Sequence, residues 1–344
     1  MAFDSYGLPS RPDRANINMP RDMDGNTYLH ELCRKDAPLE LIRDAVLNGA
    51  NINATNKRGM PPLGMAIQSG KPELVSLLVD LGAEMYFPVN ATMNFNAVYL
   101  AADTGRDGAL KALLAKGGGV YVNQPGITQD GRETKLNALH IAVKTYHYDM
   151  IEPLVEAGAL LNEEAGPERM TPLMIAISNN TASGIRQLLN AGADLERPQS
   201  GTGRTPLGFA AVYKDNTAAR VLLDYGADVN AADAAGTTPL MSAAENGDTG
   251  MVHLLIGAKA DIDRQRKAGN NETALMKAAQ KGSSDVVRVL LSAGANPILT
   301  DSFNKTALRY AESTSNHGTK FVLEEAEQKA LQAQFETIYR KYRP

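Results

Sequence analysis

The chain repeats itself about every 34 residues, and this periodicity restricts its possible folds more than any other feature. The segment GTTPLMSAAENGD at 236–248 shows the pattern clearly. Similar surroundings recur at spacings of 34, 35, 41, 34, 34, 33, 35 and 33 residues around nine apolar anchors: Leu29, Leu63, Val98, Leu139, Leu173, Leu207, Leu240, Leu275 and Leu308. A glycine-containing segment such as LLDYGADVN follows most anchors. The chain is therefore predicted to be an array of stacked units.

One unit can be interpreted from the seventh copy. Thr238 suits a helix N-cap, and Pro239 suits the first helical position, where its missing amide hydrogen costs nothing. We expect the inward positions to be Leu240, Ala243 and Ala244 on a first helix and Met251, Leu254 and Leu255 on a second. Helices this short are marginal alone in water, so each must pack on its partner and on the neighbouring units.

These residues resemble the ankyrin repeat, a turn–helix–helix unit with a Thr-Pro-Leu-His-x-Ala signature. The resemblance covers roughly residues 22–331, with copies such as MTPLMIAISN and ETALMKAAQKGS. The family histidine, which normally ties the hairpin backbone, is present only at His30 and His140. The other copies carry Gly64, Tyr99, Met174, Gly208, Met241, Met276 and Arg309. Lys259 stands where the other copies place a glycine that usually needs positive φ.

The resemblance implies an all-α fold, an ankyrin-repeat α-solenoid with short β-hairpin connections and a C-terminal capping helix. Residues 1–23 are expected to form an N-terminal extension or cap, 24–316 the solenoid, and 317–344 a helix that completes and caps the last repeat. That helix carries a broad apolar stripe, so partner binding is its alternative role. The 41-residue spacing predicts an insert at 120–134, and the long connections concentrate from copy two to copy six. Insertions in solenoids fall on one face, which is often the binding face.

Composition and charge restrict the classes of partner and the cellular compartment that we expect. The formal net charge is −4, and acidic and basic pieces alternate, which argues against nucleic acid and anionic membranes. Cys33 is the single cysteine, so a reducing compartment is favoured. The start MAFDSYGLPSRPDR lacks a signal-peptide core, and no run approaches 18 apolar residues. We expect a cytoplasmic protein, or one delivered into a host cytosol without a Sec-type signal.

No segment indicates catalysis, a cofactor or a metal. GMAIQSGKP at 64–72 has the wrong glycine spacing for a phosphate loop, and Pro72 replaces the required hydroxyl residue. His30 and Cys33 in HELC have no second pair to complete a zinc set, so we interpret both as core residues. SFNK at 302–305 matches Ser-x-x-Lys but lacks the companion motifs of that enzyme family. The chain is predicted not to be an enzyme.

The predicted function is protein binding through the concave surface of hairpins and inner helices. The family register exposes Val212 and Tyr213, and an exposed apolar–aromatic pair resembles an interface anchor. The full predicted surface is Tyr213, Arg204, Val212, Arg169, Met170, Lys144 and Tyr146. Tyr213 could instead cover the first helix beside Phe209.

Two alternatives remain open at this point. One is a structural scaffold that self-assembles through its C-terminal helix. The other is a bacterial effector or an immunity or regulatory protein acting by binding. The partners are expected to be one or more proteins, and the chain alone is expected to be monomeric.

Overall fold

Nine pairs of short α-helices make up the part of the chain that the computed structural model describes, residues 12–35, 37–90, 93–126, 136–313 and 316–342. The first helices are α1 Tyr28–Arg34, α3 Pro62–Ser69, α5 Ala97–Asp103, α7 Ala138–Lys144, α9 Pro172–Ser178, α11 Pro206–Tyr213, α13 Pro239–Asn246, α15 Ala274–Lys281 and α17 Ala307–Glu312. The second helices are α2 Leu39–Leu47, α4 Pro72–Asp80, α6 Asp107–Ala115, α8 Ile151–Glu156, α10 Ala182–Asn190, α12 Asn216–Asp224, α14 Thr249–Gly257, α16 Ser284–Ser292 and α18 His317–Tyr342. The predicted all-α class and helix-pair repeat are confirmed.

The helices belong to two units, Met1–Pro172 with Asn190–Gly192, and Leu173–Leu189 with Ala193–Pro344. In the first unit, α1, α3, α5 and α7 pack side by side as one layer, and α2, α4 and α6 form a second layer. In the second unit, α11, α13, α15 and α17 form one layer, and α12, α14, α16 and α18 form the other. Each helix named in these layers therefore packs against helices of adjacent pairs.

The seventh pair shows how the sequence produces these helices. The Thr238 hydroxyl accepts a 3.2 Å hydrogen bond from the Met241 amide, and Pro239 opens α13, as predicted. The expected inward residues of α13 are all buried: Leu240, Ala243 and Ala244. In α14 the prediction is wrong at one position, because Leu254 is only half-buried whereas Val252 is fully buried. A nine-residue helix pressed on two neighbours buries adjacent positions such as Met251 and Val252, which a single-stripe pattern does not capture.

Strands are scarce among the described residues. An antiparallel pair, β1 Tyr86–Asn90 and β2 Met93–Asn96, arises from the unusual connection MYFPVNATMNFN. Asn96 ends β2 and caps α5, its side chain accepting from the Tyr99 amide at 2.7 Å. Two short 3₁₀ turns, Gly118–Tyr121 and Tyr148–Met150, precede later elements. Residues 1–11 of the expected N-terminal extension and 127–134 of the predicted insert lie outside the described residues.

A recurring side-chain hydrogen bond links adjacent repeats. A side-chain oxygen in one repeat, or in the first pair one in the segment before the first repeat, accepts the backbone N–H of a residue in the next. The pairs, acceptor first, are Asn18–Asn51 (2.6 Å), Asn53–Glu84 (3.0 Å), Asn123–Leu160 (2.9 Å), Glu196–Asp228 (2.7 Å), Asn230–Asp261 (2.8 Å) and Asp263–Asn296 (2.9 Å). These bonds, which we call the acceptor ladder, satisfy backbone donors that the turns would otherwise leave to water.

The two family histidines each bridge two hairpins. The Nε2 of His30 donates to the Met60 carbonyl at 2.9 Å, and the Nε2 of His140 donates to the Glu163 carbonyl at 2.9 Å. Where methionine replaces histidine, only the local half of the contact survives. The Met241 sulfur accepts from the Thr238 amide at 3.5 Å, but a thioether has no proton to donate to the next hairpin.

The glycine after each second helix has a left-handed backbone. At Gly49, Gly82, Gly117, Gly158, Gly192, Gly226 and Gly294, φ lies between 91° and 98°. Lys259 takes the equivalent place with φ 66°. A Cβ added at Gly226 or Gly294 would meet nothing within 4 Å, so the cost of a side chain here comes from the backbone conformation rather than from crowding.

Lys259→Gly should therefore stabilise the fold by about 0.5–1 kcal/mol, because glycine adopts positive φ without steric cost. The measurement is the free energy of unfolding in urea, with the melting temperature as a second readout. Gly226→Lys, the reverse exchange in the preceding repeat, is the matched control and should destabilise by a similar amount. A lower melting temperature for Lys259→Gly would contradict this account.

His140 makes stability depend on pH. Burial lowers the pKa of its imidazole from 6.5 to about 4, while the bonded carbonyls of Glu163 and Met170 oppose the shift. The unfolded chain therefore binds this proton first, so stability is complete above about pH 6.5 and falls as the pH drops toward 4. Burial also lowers the pKa of His30, which acts in the same direction.

His140→Met should cost about 1 kcal/mol at pH 7.5, through loss of the bond to Glu163. It should lose less stability than wild type between pH 6.5 and 4.5, because methionine does not titrate. Urea unfolding at several pH values measures both effects. Parallel stability curves for the two proteins would show that His140 does not contribute to the acid sensitivity.

Candidate protein-interaction surface

Four of the predicted residues lie in the first unit, and we refer to them as the Tyr146 group: Lys144, Tyr146, Arg169 and Met170. Lys144 ends α7, and Tyr146 follows in the turn toward α8 with 58% of its surface exposed. Its ring meets Tyr148 edge-on, with the ring centroids 6.3 Å apart. Lys144 is exposed as well. This turn presents an aromatic ring and a cation to solvent.

Arg169 and Met170 lie in the hairpin that precedes α9. Reciprocal backbone bonds between Ala165 and Met170, at 2.9 and 3.1 Å, close this hairpin. The guanidinium of Arg169 lies 3.4 Å from a Glu164 carboxylate oxygen and remains 65% exposed. Met170 is half-buried, so it offers less surface than the sequence suggests.

The surroundings of Tyr146 include a half-buried acid that the sequence reading missed. Burial raises the pKa of Asp103 above its ordinary value, while the nearby His147 and Lys144 oppose that rise. The His147 ring lies over Gly105, where an added Cβ would come within 2.4 Å of its Cε1. A side chain at residue 105 would therefore displace the His147 ring from this position. No spacing rule in the sequence brings Asp103 and His147 together.

Three predicted residues lie in the second unit, and we call them the Tyr213 group: Arg204, Val212 and Tyr213. The Tyr213 ring stacks on the buried Phe209, with centroids 4.4 Å apart, and keeps 53% of its surface exposed. One side of the Tyr213 ring therefore covers the first helix, as the alternative expected. The rest of the side chain is still exposed to solvent. Val212 is half-buried.

Arg204 lies at the other end of α11 from Tyr213. Its Nε is 3.7 Å from an Asp233 oxygen on the next hairpin, and its side chain is about one-third exposed. Tyr213 ends α11 and Arg204 lies two residues before its start, so the eight residues of the helix, about 12 Å at the helical rise, lie between them. A ligand that touches both must therefore extend along the whole helix, as a protein surface can.

The described residues indicate neither a metal site nor a reactive thiol. Within the described ranges, no group of three or more His, Cys, Asp or Glu side chains is arranged to hold a metal ion. Cys33 is fully buried, and burial raises the pKa of its thiol to about 12. The placement of Cys33 in the core is thereby confirmed, and its thiolate is too scarce to react at neutral pH.

Comparison with known proteins settles the family. The family model described as Ankyrin repeats (3 copies) matches residues 29–125, 121–199, 197–266 and 240–332. The chain belongs to the ankyrin-repeat family. The crystal structure of the ankyrin repeat domain of Bcl-3, described as a unique member of the IkappaB protein family, is similar at 26% identity and a TM-score of 0.59. That match covers 66% of this chain and 98% of the Bcl-3 chain.

One curated relative is an E3 ubiquitin-protein ligase, KEG, of Arabidopsis thaliana. It is 27% identical over 139 residues, which are 40% of this chain and 8% of KEG. The chain thus corresponds to a small part of that protein's length. Among the described helices of this ankyrin chain, none is long and apolar enough to cross a bilayer.

The ankyrin register shows that several of these side chains occupy costly backbone positions. In the turn after the first helix, four repeats place glycine with positive φ: Gly70 (77°), Gly105 (69°), Gly247 (68°) and Gly282 (75°). The fourth repeat places Tyr146 there (67°), and the sixth places Lys214 (59°), directly after Tyr213. Arg169 is also left-handed in its hairpin (51°). A non-glycine side chain at such a position costs stability, and Tyr146 combines this backbone conformation with an exposed aromatic ring.

Tyr146→Gly should stabilise the ankyrin fold by about 0.5–1 kcal/mol, because it relieves a left-handed tyrosine whose ring is mostly in solvent. Urea unfolding measures the change. Asn180→Gly is the matched control, since Asn180 holds the same turn position with φ 53° and asparagine tolerates that conformation. Its stability should change less. Destabilisation by Tyr146→Gly would mean that the Tyr148 contact outweighs the strain.

Proposed function

We propose that this ankyrin-repeat chain binds a partner protein through the exposed inner-helix turns and hairpins that carry the Tyr146 and Tyr213 groups. Ankyrin repeats are generally protein–protein interaction modules. The observation that carries the proposal is the exposed Tyr146 in a left-handed turn where four other repeats, including the preceding one, have glycine. A side chain kept at a destabilising position is best explained by what it contacts outside the chain.

The Tyr213 group has the properties of an interface anchor. Stacking on Phe209 holds the tyrosine ring in one orientation, and the Asp233 carboxylate restrains Arg204. Restrained side chains lose less conformational entropy on binding, which favours affinity. Tyrosine and arginine are also the residue types most enriched among binding hot spots.

The Tyr146 group offers a complementary set of contacts. Tyr146 and Lys144 present an exposed ring and an exposed cation on one turn, and Arg169 adds a second cation on its hairpin. We expect it to favour a partner surface with carboxylates beside apolar side chains. The two groups are proposed as separate contact regions, each with its own test.

The ankyrin fold is typically a non-catalytic binding module, and we propose that this chain acts by binding alone, without a cofactor. The ligase activity named for KEG is not transferred, because the match spans 8% of that protein. The proposed partners are proteins rather than nucleic acids, since acidic and basic residues alternate along the chain. A cytoplasmic setting fits the single buried thiol of Cys33.

The double substitution of Tyr213→Ala with Arg204→Ala should weaken binding of the partner by roughly 2 kcal/mol or more, as expected of hot spots. The partner is first captured from the native host by pull-down with wild-type chain and identified by mass spectrometry. Its purified form is then titrated by calorimetry against each variant. The double variant should keep the wild-type helical spectrum and nearly the same melting temperature.

Tyr146→Gly tests the first unit in the same titration. It should weaken binding of the partner although it raises the free energy of unfolding. A variant that binds less tightly but is more stable has lost a contact and has not misfolded. Asn180→Gly serves again as control and should bind like wild type. If the captured partner binds the double variant and Tyr146→Gly as tightly as wild type, the proposed surface is wrong.

A further inference from the structure

The second helices of the second unit carry a row of basic side chains on their exposed surface. Each basic residue lies six positions before the left-handed residue that follows its helix, and the residue before it is fully buried. This basic row consists of Arg186 on α10, Arg220 on α12, His253 on α14 and Arg288 on α16, all of them exposed. Because α12, α14 and α16 pack side by side, the row crosses these helices rather than following one of them.

The basic row is largely without carboxylate partners in the part of the chain that the structure describes. Arg186, Arg220 and His253 form no ion pair with a described residue. The guanidinium of Arg288 lies 3.3 Å from an Asp285 oxygen, and both side chains are more than half exposed. An exposed pair of this kind contributes little, so a competing carboxylate can replace it. The arginines of the row are therefore open to an external anion.

Lys259 adds a further cation at a position that costs stability. It has φ 66° where the equivalent residues of the neighbouring repeats are glycines with φ between 91° and 96°. Its side chain is exposed, and among the described residues it has no hydrogen-bond or ion-pair partner. It follows α14, the helix on which the basic row has a histidine in place of an arginine. Contact with an anion outside the chain accounts for a lysine at this strained position.

The spacing of the basic row suits an extended polypeptide. Packed helices have axes 8–10 Å apart, so neighbouring members of the row are about 10 Å apart. Three residues of extended chain also span about 10 Å. A segment with a carboxylate at every third residue can therefore place one carboxylate beside the basic side chain of each helix.

Acidic side chains at the borders of the row favour a narrow ligand. The four helices contain two acids, Asp224 and Asp285, and the loops after α12 and α14 present the exposed Asp228 and Asp261. A nucleic-acid duplex or a membrane surface is wide enough to bring phosphates against these carboxylates, and like charges repel. An extended polypeptide can lie along the row without reaching them.

We propose that the basic row, together with Lys259, binds an extended acidic segment of a partner protein that has a carboxylate at about every third residue. This surface belongs to the second helices of the second unit. It is separate from the first-helix turns and hairpins that carry the Tyr146 and Tyr213 groups, and it does not depend on the function proposed for them.

The first test compares two fluorescent synthetic peptides made of glutamate, glycine and serine in the same proportions. The spaced peptide has glutamate at every third residue, with one glutamate for each helix of the row, and the clustered peptide has the same glutamates side by side. Fluorescence anisotropy with the full chain at low ionic strength, where exposed charges are least screened, should show tighter binding of the spaced peptide. Equal affinities, or no binding of the spaced peptide, would overturn the proposal.

The second test changes the row itself. Arg186→Gln with Arg220→Gln should weaken binding of the spaced peptide at least fivefold, because two unpaired charges are lost. His253→Arg should strengthen it about threefold, because it completes the row with a fourth arginine. Arg43→Gln is the matched control, since Arg43 is exposed at the same place on α2, six residues before Gly49, but lies in the first unit. It should bind like wild type, and a loss equal to that of the double variant would contradict the proposed row.

Lys259→Gly separates binding from stability. It should weaken binding of the spaced peptide about twofold while it raises the free energy of unfolding. Unchanged affinity would overturn the role given to Lys259. All variants should keep the wild-type helical spectrum.

Two further measurements identify the surface and the class of ligand. Tyr213→Ala with Arg204→Ala should bind the spaced peptide like wild type, so each surface can fail without the other. A single-stranded oligonucleotide and vesicles containing phosphatidylserine are titrated in parallel. If either binds more tightly than the spaced peptide and loses affinity in Arg186→Gln with Arg220→Gln, the row belongs to that ligand and the proposal is wrong.

Discussion

Every helix pair in this chain depends on its neighbours for its apolar interior. Apart from α18, the described helices have six to nine residues, which is too few for stable helices in isolation. Small residues such as Ala243 and Ala244 are fully buried on the first helices and let adjacent backbones approach closely. Stability is consequently a sum of local terms between consecutive repeats, and substitutions act mainly on the repeat that carries them and on the next one.

The junctions between repeats are not equivalent, although the helices look alike. His30 and His140 donate across to the following hairpin, while Met241 satisfies only its own repeat. The acceptor ladder uses neutral asparagine at some junctions and charged Glu196 or Asp263 at others. Burial raises the pKa of Glu196, which also lies near Asp228 and Asp194. The junction that uses Glu196 therefore contains an acceptor that is protonated more readily than a free glutamate, whereas an asparagine acceptor does not titrate.

The sequence alone was sufficient for the fold because its period repeats nine times and each copy carries its own start and stop signals, such as Thr238 and the positive-φ glycines. It was less informative where contact depends on distant residues. The stacking of Tyr213 on Phe209, the pairing of Arg204 with Asp233 and the position of Asp103 near His147 follow from packing between turns, which no spacing rule encodes. The burial of Val252 in place of Leu254 was missed because a helix between two neighbours has a wider apolar face than one stripe. The strand pair 86–96 was visible only as an unusual connection.

The acceptor ladder has a direction. In each of its six bonds the side-chain oxygen comes earlier in the chain and the backbone N–H belongs to the following repeat, from Asn18 with Asn51 to Asp263 with Asn296. During synthesis on the ribosome, the acceptor has therefore already emerged when its donor leaves the exit tunnel. Each new repeat within a unit meets a preceding repeat that is ready to receive it, so the chain can mature in the order in which it is translated.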